Sequence, residues 1–294
     1  MVRLVFNTLF MFWLAAPLCA LDEKALLQQI ADRQNYLFMT FLPATNFENY
    51  PHIKQAIDQD FPDRSRQFDH DLMLVIFAPS DIRNKIIQEG FKNQFETNTS
   101  QGLLDKNARF NTERSLLGYS SREYKDIPLS IRPKYGLVTT KKHLLKMIEN
   151  VSQYGDDIYV IKNKSSTTIT WTPGDSLNRV YKKQSDYITN CAGWDEIFIP
   201  WHYRHIIIPY LRDKNPDSIL VPSSDTIKPK NKLNPIAGSN TNSEYMEFQL
   251  WGSAPLSVAK MLIHTKKKVT KKQKIALMEA KVSIKSLENY KKGL

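Results

Sequence analysis

Apolar positions along the chain change their spacing several times, and each change predicts an element. Leu72-Met73-Leu74-Val75-Ile76-Phe77 is unbroken and stops at Ala78-Pro79-Ser80, which predicts a buried strand. Upstream, Leu27, Ile30, Ala31, Gln34, Leu37 and Phe38 recur at three-and-four spacing behind Asp22, which predicts a capped helix ending before Pro43. Residues 43–70 are polar, interrupted by Pro43, Pro51 and Pro62, with a second short helical stretch around 53–57. After the strand, Ser80 or Asp81 is expected to cap a helix through Ile82, Ile86 and Ile87 that closes at Gly90.

Residues 98–107 read as a polar loop, 127–138 as extended, and 141–151 as a helix with Leu144, Leu145 and Ile148 on one side. The clearest hairpin signal joins 157–162 to 166–172 through Asn163-Lys164-Ser165, with Pro173-Gly174-Asp175 as its stop. Alternation puts Ser166, Thr168, Thr170 and Thr172 on one face of its second strand. Residues 194–208 are aromatic-rich, and Ile206-Ile207-Ile208 is a predicted strand before Pro209. Residues 214–242 carry four prolines and no pattern; loops of that length are usually functional or disordered. A strand over 245–251 follows, then a short apolar helix over 256–263. From Thr265 onward, Leu277, Ala280, Ile284 and Leu287 form a narrow apolar stripe on a lysine-rich predicted helix. There is no internal repeat.

With 294 residues, 41% of them hydrophobic, the chain can bury one large core or two modest ones. The net charge of +11 is concentrated: residues 266–294 hold ten Lys and two Glu, a net +8. Arg3 adds one, leaving 11 − 8 − 1 = +2 for the body, too little for the basic stripe that a nucleic-acid groove needs. The basic tail fits either a solvated helix resting its stripe on the body or a surface attracted to acidic lipid or an acidic partner. Residues 1–20 run from Arg3 through an apolar centre to Pro17-Leu18-Cys19-Ala20, the pattern of an export signal with Ala20 the last residue removed. The mature chain is then expected to be periplasmic or secreted, with no transmembrane span. Cys19 leaves with the signal, so Cys191 has no partner for an intramolecular disulfide; without an adjacent base it reads as a small buried hydrophobe.

The candidate chemistry lies in two runs about 110 residues apart, Ile131-Arg132-Pro133-Lys134-Tyr135-Gly136 and Tyr245-Met246-Glu247-Phe248-Gln249-Leu250-Trp251-Gly252. On the second, Met246, Phe248 and Leu250 read as core, whereas Tyr245, Glu247, Gln249 and Trp251 read as the wall of a polar cleft with Glu247 its only acid. An isolated Glu on a strand is more often merely solvated. Arg132 beside Pro133 is biased to extended backbone, where a guanidinium can grip a pyrophosphate, although a surface salt bridge is the commoner use. The Ser/Thr face at 166–172 suits ribose hydroxyls, and also an ordinary half-exposed strand. Of six His, only His202 and His205 are closely spaced, and no acid or Cys completes a metal set. Neither a Gly-rich phosphate loop nor a nucleophile elbow is present.

Four blocks in order, QFETNTSQG at 94–102, RPKYGL at 132–137, TWTPGDS at 170–176 and MEFQLWG at 246–252, resemble the QFETGTSNG, RPxYGAL, TFTxGDS and VEAQxHG blocks of a bacterial domain-of-unknown-function family grouped with the ADP-ribosyltransferase-like fold. The likeness spans roughly residues 72–264. It implies an α+β fold of split mixed β-sheets with flanking helices. The chain then divides into a signal at 1–20, a helical region at 21–71, the transferase-like domain at 72–264 and the tail at 265–294. It further implies NAD as substrate, ADP-ribose transfer to an unknown protein acceptor or to water, and Glu247 as the catalytic acid. NAD contacts would come from Arg132, Tyr135, Thr170, Thr172, Ser176, Gln249 and Trp251, with Tyr135 or Trp251 against the nicotinamide. The chain departs from the pattern at Ala78 and Trp251, where the family has His, and at Asn98, where it has Gly. Those departures motivate the alternative, an inactive secreted binding protein of the same fold.

Overall fold

A computed structural model describes residues 22–41, 72–98, 106–150, 154–163, 168–172, 198–206 and 246–293. Residues 1–20, Ser176, Cys191 and residues 214–242 lie outside the described residues. Helix α1, Glu23–Phe41, opens the described chain, and Asp22 caps it through its Oδ1, which accepts from the Ala25 amide at 2.7 Å. Leu26, Ile30, Leu37 and Phe38 are buried along one side, together with Gln29, Arg33 and Gln34.

The strands are β1 Leu72–Ala78, β2 Lys134–Thr140, β3 Asp157–Ile161, β4 Ile169–Thr172, β5 Ile199–Pro200, β6 Met246–Leu250, β7 Ala259–His264 and β8 Ser283–Ser286. The fold is α+β. Its strands form one eight-stranded sheet in the order β5-β4-β6-β2-β1-β3-β7-β8. Every pair is antiparallel except β7 with β8. The split sheets that the resemblance implies are one continuous sheet among the described residues, because β6 hydrogen-bonds to β2 on one edge and to β4 on the other.

One face of the sheet carries Leu72, Leu74, Val138, Tyr159, Trp171, Met246, Phe248 and Leu250 into a core with Leu37 and Phe38 of α1. Ile86 of α2, Arg83–Glu89, joins the same core. Gly136 lies beneath the Phe248 ring, and a Cβ there would meet Phe248 Cε1 at 2.3 Å, so only glycine lets the two strands pack this closely. On the opposite face Met73, Val75, Ile158, Val160 and Ile263 are covered by Leu144 and Met147 of α6, Lys141–Asn150, and by Tyr290 of α8, Leu287–Lys291. A third cluster joins Leu26 and Ile30 to Leu116, Tyr124, Ile131 and Trp251, using α4, Lys106–Leu116, and α5, Ser121–Asp126. No described helix is long and apolar enough to cross a membrane.

Several local expectations give way to long-range burial. Residues 157–172 do not form a hairpin: β3 lies between β1 and β7, and β4 lies between β5 and β6, with β1, β2 and β6 separating them. All five residues of β3 are buried, and a strand buried on both faces is worth more at the sheet centre than paired through a nearby turn. The apolar run at 256–263 is a short 3₁₀ turn, Leu256–Val258, followed by β7, since periodicity cannot separate a short buried strand from a helix. The stretch 127–138 is extended only from Lys134; residues 129–131 turn, with Ile131 N donating to Pro128 O at 3.0 Å. Ile206 is the end of a 3₁₀ segment, Trp201–Ile206, while the other two residues of the expected strand, 207 and 208, lie outside the described residues. Ser80 begins another, Ser80–Ile82, and does not cap α2; its amide and hydroxyl each donate to Asp156 at 2.8 Å.

The lysine-rich end is not one helix but helix, strand, helix: α7 Lys271–Glu279, then β8, then α8. The Lys281 amide donates to Met278 O at 2.9 Å and the Val282 amide to Leu277 O at 2.8 Å, a Schellman closure with Lys281 at φ 58°. Arg83 fastens this unit to the sheet. Its Nε and one Nη each donate to Asp157 at 2.6 Å, and further contacts reach Lys267 O at 2.9 Å and Lys268 O at 3.1 Å. Both side chains are buried, so removing the acid leaves an uncompensated guanidinium in the core. Asp157→Ala is expected to lower unfolding free energy by about 3–5 kcal/mol, read as a fall in the urea midpoint.

Candidate functional site

Strands β2, β6 and β4 lie side by side, and antiparallel pairing places opposed residues on the same face. Tyr135 pairs with Gln249, which pairs with Thr170; in the adjoining row Leu137 pairs with Glu247, which pairs with Thr172. Five residues singled out in the sequence, Tyr135, Gln249, Thr170, Glu247 and Thr172, thus occupy two neighbouring rows of one face. The two signature runs also touch at their ends. The Gly252 amide donates to Ile131 O at 2.9 Å, and Lys134 Nζ donates to Gly252 O at 2.6 Å.

Hydrogen bonds order this face. Trp251 Nε1 donates to Thr170 Oγ at 2.9 Å, Thr170 Oγ to Gln249 Oε1 at 2.9 Å, and Gln249 Nε2 to Thr172 Oγ at 3.3 Å. Both faces of β6 are buried, with Glu247 6% and Gln249 0% exposed, so the expected open cleft wall is an enclosed polar layer. Trp251 is buried too, edge-on to Phe198 with ring centroids 5.6 Å apart, and so acts as an anchor for Thr170 within the core.

Arg132 sits two residues before β2. Its Nε donates to Ile127 O at 3.3 Å and one Nη to Tyr124 O at 3.1 Å. Its guanidinium carbon lies 4.6 Å from the Phe95 ring centroid, 4.7 Å from Tyr124 and 5.4 Å from Phe110. The side chain is 4% exposed, so its charge is held among aromatic faces and carbonyls in the place of a surface salt bridge. Asn93 secures this corner: its Nδ2 donates to Leu129 O at 2.6 Å and to Arg132 O at 3.0 Å, while its Oδ1 caps a short helix, α3 Gln94–Thr97.

A group not expected from the sequence joins Tyr124, on which Arg132 rests, to Tyr135. Glu113, on α4, is buried and accepts from the Tyr135 hydroxyl at 2.9 Å and from the Tyr124 hydroxyl. The Arg109 guanidinium carbon lies 4.2 Å from the centroid of the Tyr135 ring. Burial pushes the Glu113 carboxyl up to about 7, against the pull of Arg109, the two hydroxyls and Arg132. Burial, and then the Glu113 charge, raise both phenols well above their ordinary range, and Glu247 adds to the effect on Tyr135. Both hydroxyls therefore stay protonated and serve as donors. The available signal was positional, since Arg109, Thr112, Glu113 and Leu116 follow three-and-four spacing on one helix. Their polarity disguised a buried face.

No protein-family model matches the chain, and no curated protein does. The site is accordingly read from its own groups: a buried carboxylate, two threonine hydroxyls, an amide and a phenol, with two guanidinium groups close behind. Among the described residues no cluster of three His, Cys, Asp or Glu is placed to hold a metal ion.

Glu113 binds its proton more tightly in the folded chain than in the unfolded one. Its contribution to stability is present in full below about pH 4.5 and is lost as pH rises towards about 7. At about 1.4 kcal/mol per unit, wild type should lose up to about 3 kcal/mol relative to Glu113→Gln across that window. Urea unfolding of both proteins at several pH values measures it, and a constant difference would contradict the assignment.

Proposed function

We propose that the polar face of β2, β6 and β4 binds NAD and that Glu247 assists cleavage of its glycosidic bond, with ADP-ribose passing to a protein side chain or to water. The observation that carries this reading is the pairing of Glu247 with Thr172 beside the Tyr135–Gln249–Thr170 row, which gathers an acid and several hydroxyl-binding groups from three strands. The likeness of the four sequence blocks to an ADP-ribosyltransferase-like family supports the same reading.

In the reaction, the bond between the ribose anomeric carbon and the nicotinamide nitrogen breaks, and its electron pair leaves with neutral nicotinamide. Positive charge develops on the ribose. Glu247, accepting a hydrogen bond from the 2′-hydroxyl, offsets that charge in a layer largely screened from water, where a fixed carboxylate acts strongly. The incoming nucleophile forms the new bond to the anomeric carbon and gives its proton to solvent. Tyr135 is the aromatic better suited to face the nicotinamide, because it is only partly buried whereas Trp251 is packed inside the core. Arg132 contributes fixed positive charge behind the site in this reading, since two of its nitrogens already serve backbone carbonyls. The acceptor remains a side chain of an unidentified protein or water, and the N-terminal segment fits an exported protein working in the periplasm or outside the cell.

A second reading is a secreted binding protein of the same fold without the reaction. It is favoured by the burial of Glu247 and by the internal satisfaction of Gln249 and both threonines. Nicotinamide release separates the two. Wild type should release nicotinamide from NAD, and Glu247→Gln should be slower by about 10²- to 10³-fold while still showing thermal stabilisation by NAD. Stabilisation by NAD without release, with or without candidate protein acceptors, would assign the binding protein; neither effect would exclude NAD.

A further inference from the structure

The lysine-rich end of the chain is folded and fixed, which gives its outer surface a defined geometry. Helix α7 opens with a reciprocal cap in which the Gln273 amide donates to Thr270 Oγ and the Thr270 amide to Gln273 Oε1. Arg83 also reaches Gln273 Oε1 at 3.3 Å, and Gln273 Nε2 reaches Asn84 Oδ1 at 2.8 Å. Leu277 is fully buried, with Val269 and Val282 beside it in the core. These contacts decide which side of the helix faces out. On that side Ile275 is 51% and Met278 70% exposed, and Lys271, Lys272 and Lys274 are exposed around them.

Helical spacing makes this one surface. Ile275 and Met278 are three apart, Lys271 lies four before Ile275, and Lys274 four before Met278, so two large apolar side chains are bordered by three ammonium groups and, four after Ile275, by the exposed carboxylate of Glu279. The end of the chain that carries this helix is the basic one: residues 266–294 hold a net +8, and 11 − 8 = +3 is left for the other 265 residues. Strand β8 is the last in the sheet, while β6 and β4 lie towards the other end. The basic surface and the polar layer around Glu247 therefore belong to opposite ends of the sheet.

We infer that the outer face of α7 is a peripheral docking surface for an anionic lipid bilayer. An acidic protein would satisfy the lysines but would need, besides its charge, an apolar patch matched to Ile275 and Met278, which stand in water despite an available buried side on the same helix. A bilayer interface takes both at once. Phosphate headgroups meet the ammonium groups, the two apolar side chains enter the headgroup and acyl boundary, and the lysine stems lie along it with their charges in water. The association is reversible and salt-sensitive, because the charges are exposed and screened within about 8 Å at physiological ionic strength.

The test is co-sedimentation of the full chain with vesicles of phosphatidylcholine alone and of phosphatidylcholine mixed with phosphatidylglycerol. Binding is expected on the mixed vesicles only, weakening as salt is raised. The double variant Ile275→Ser/Met278→Ser should lose about tenfold in affinity, and the triple variant Lys271→Glu/Lys272→Glu/Lys274→Glu should not sediment. All these side chains are exposed, so the thermal midpoints should stay near that of wild type, and circular dichroism checks that each variant is folded. Equal binding to neutral vesicles, or sedimentation indifferent to both variants, would assign attachment to another part of the chain, such as the apolar N-terminal segment, and overturn the inference. Full binding by the serine variant would reduce the surface to a cationic patch for an acidic macromolecule and overturn the bilayer; so would failure of wild type to bind the mixed vesicles.

Discussion

Strand β6 is paired on both edges, to β2 and to β4, and the geometry of the candidate site depends on that double pairing. Side chains on a strand alternate, so a slip of one residue would exchange Glu247 and Gln249 for Met246, Phe248 and Leu250. What prevents the slip lies on the other face. Phe248 rests over Gly136, where no side chain fits, and the apolar residues of β6 pack with Trp171 and Val138 in the main core. The position of the acid is thus set by hydrophobic packing on the side of the sheet that the acid does not touch.

The polar layer carries its own tension. Glu113 is held away from water beside two hydroxyl donors and two guanidinium groups, and burial still raises its carboxyl to about 7. Arg132 is stabilised by aromatic faces and backbone carbonyls, which keeps a positive charge inside a cluster that also contains Leu26, Ile30 and Ile131. Groups of this kind are costly to bury, and they are concentrated where α4 and α5 meet the start of β2. At the other end of the sheet the buried Arg83–Asp157 pair has a different consequence: it clamps residues 267–273 against β3 and α2 and so orients the exposed face of α7.

Much of the fold was legible where local pattern and final environment agree. The unbroken run at 72–77, the Asp22 cap with its periodic helix, the helix after Lys141 and the alternation around Glu247 all appear in the structure, because each encodes its burial within a few residues. The departures from local pattern share one cause. Residues 157–172 carry two strand patterns and a turn pattern in sequence, yet the strands β3 and β4 pair with partners from elsewhere in the chain. Residues 256–263 and 265–294 contain apolar positions that suit a helix, but hydrogen bonds from β3 and β7 convert part of each into strand. Within the site, Glu247, Gln249, Thr170, Thr172 and Tyr135 were recognisable as candidates, whereas Glu113 and Tyr124 were not, since polar side chains at helical spacing look the same whether the face is solvated or buried.

Residue order alone determined which faces of individual elements are apolar, where α1 begins, that the positive charge gathers at one end, and that an acid and two threonines would stand on strands. Tertiary structure decided which strands are neighbours, that the sheet is continuous, that Arg132 turns inward among aromatic rings, and that the lysine-rich end is an edge strand between two helices. The division follows from the range of the forces involved. Periodicity and capping act over a few residues, while strand partnership and the burial of charge are settled by competition among segments far apart in the chain.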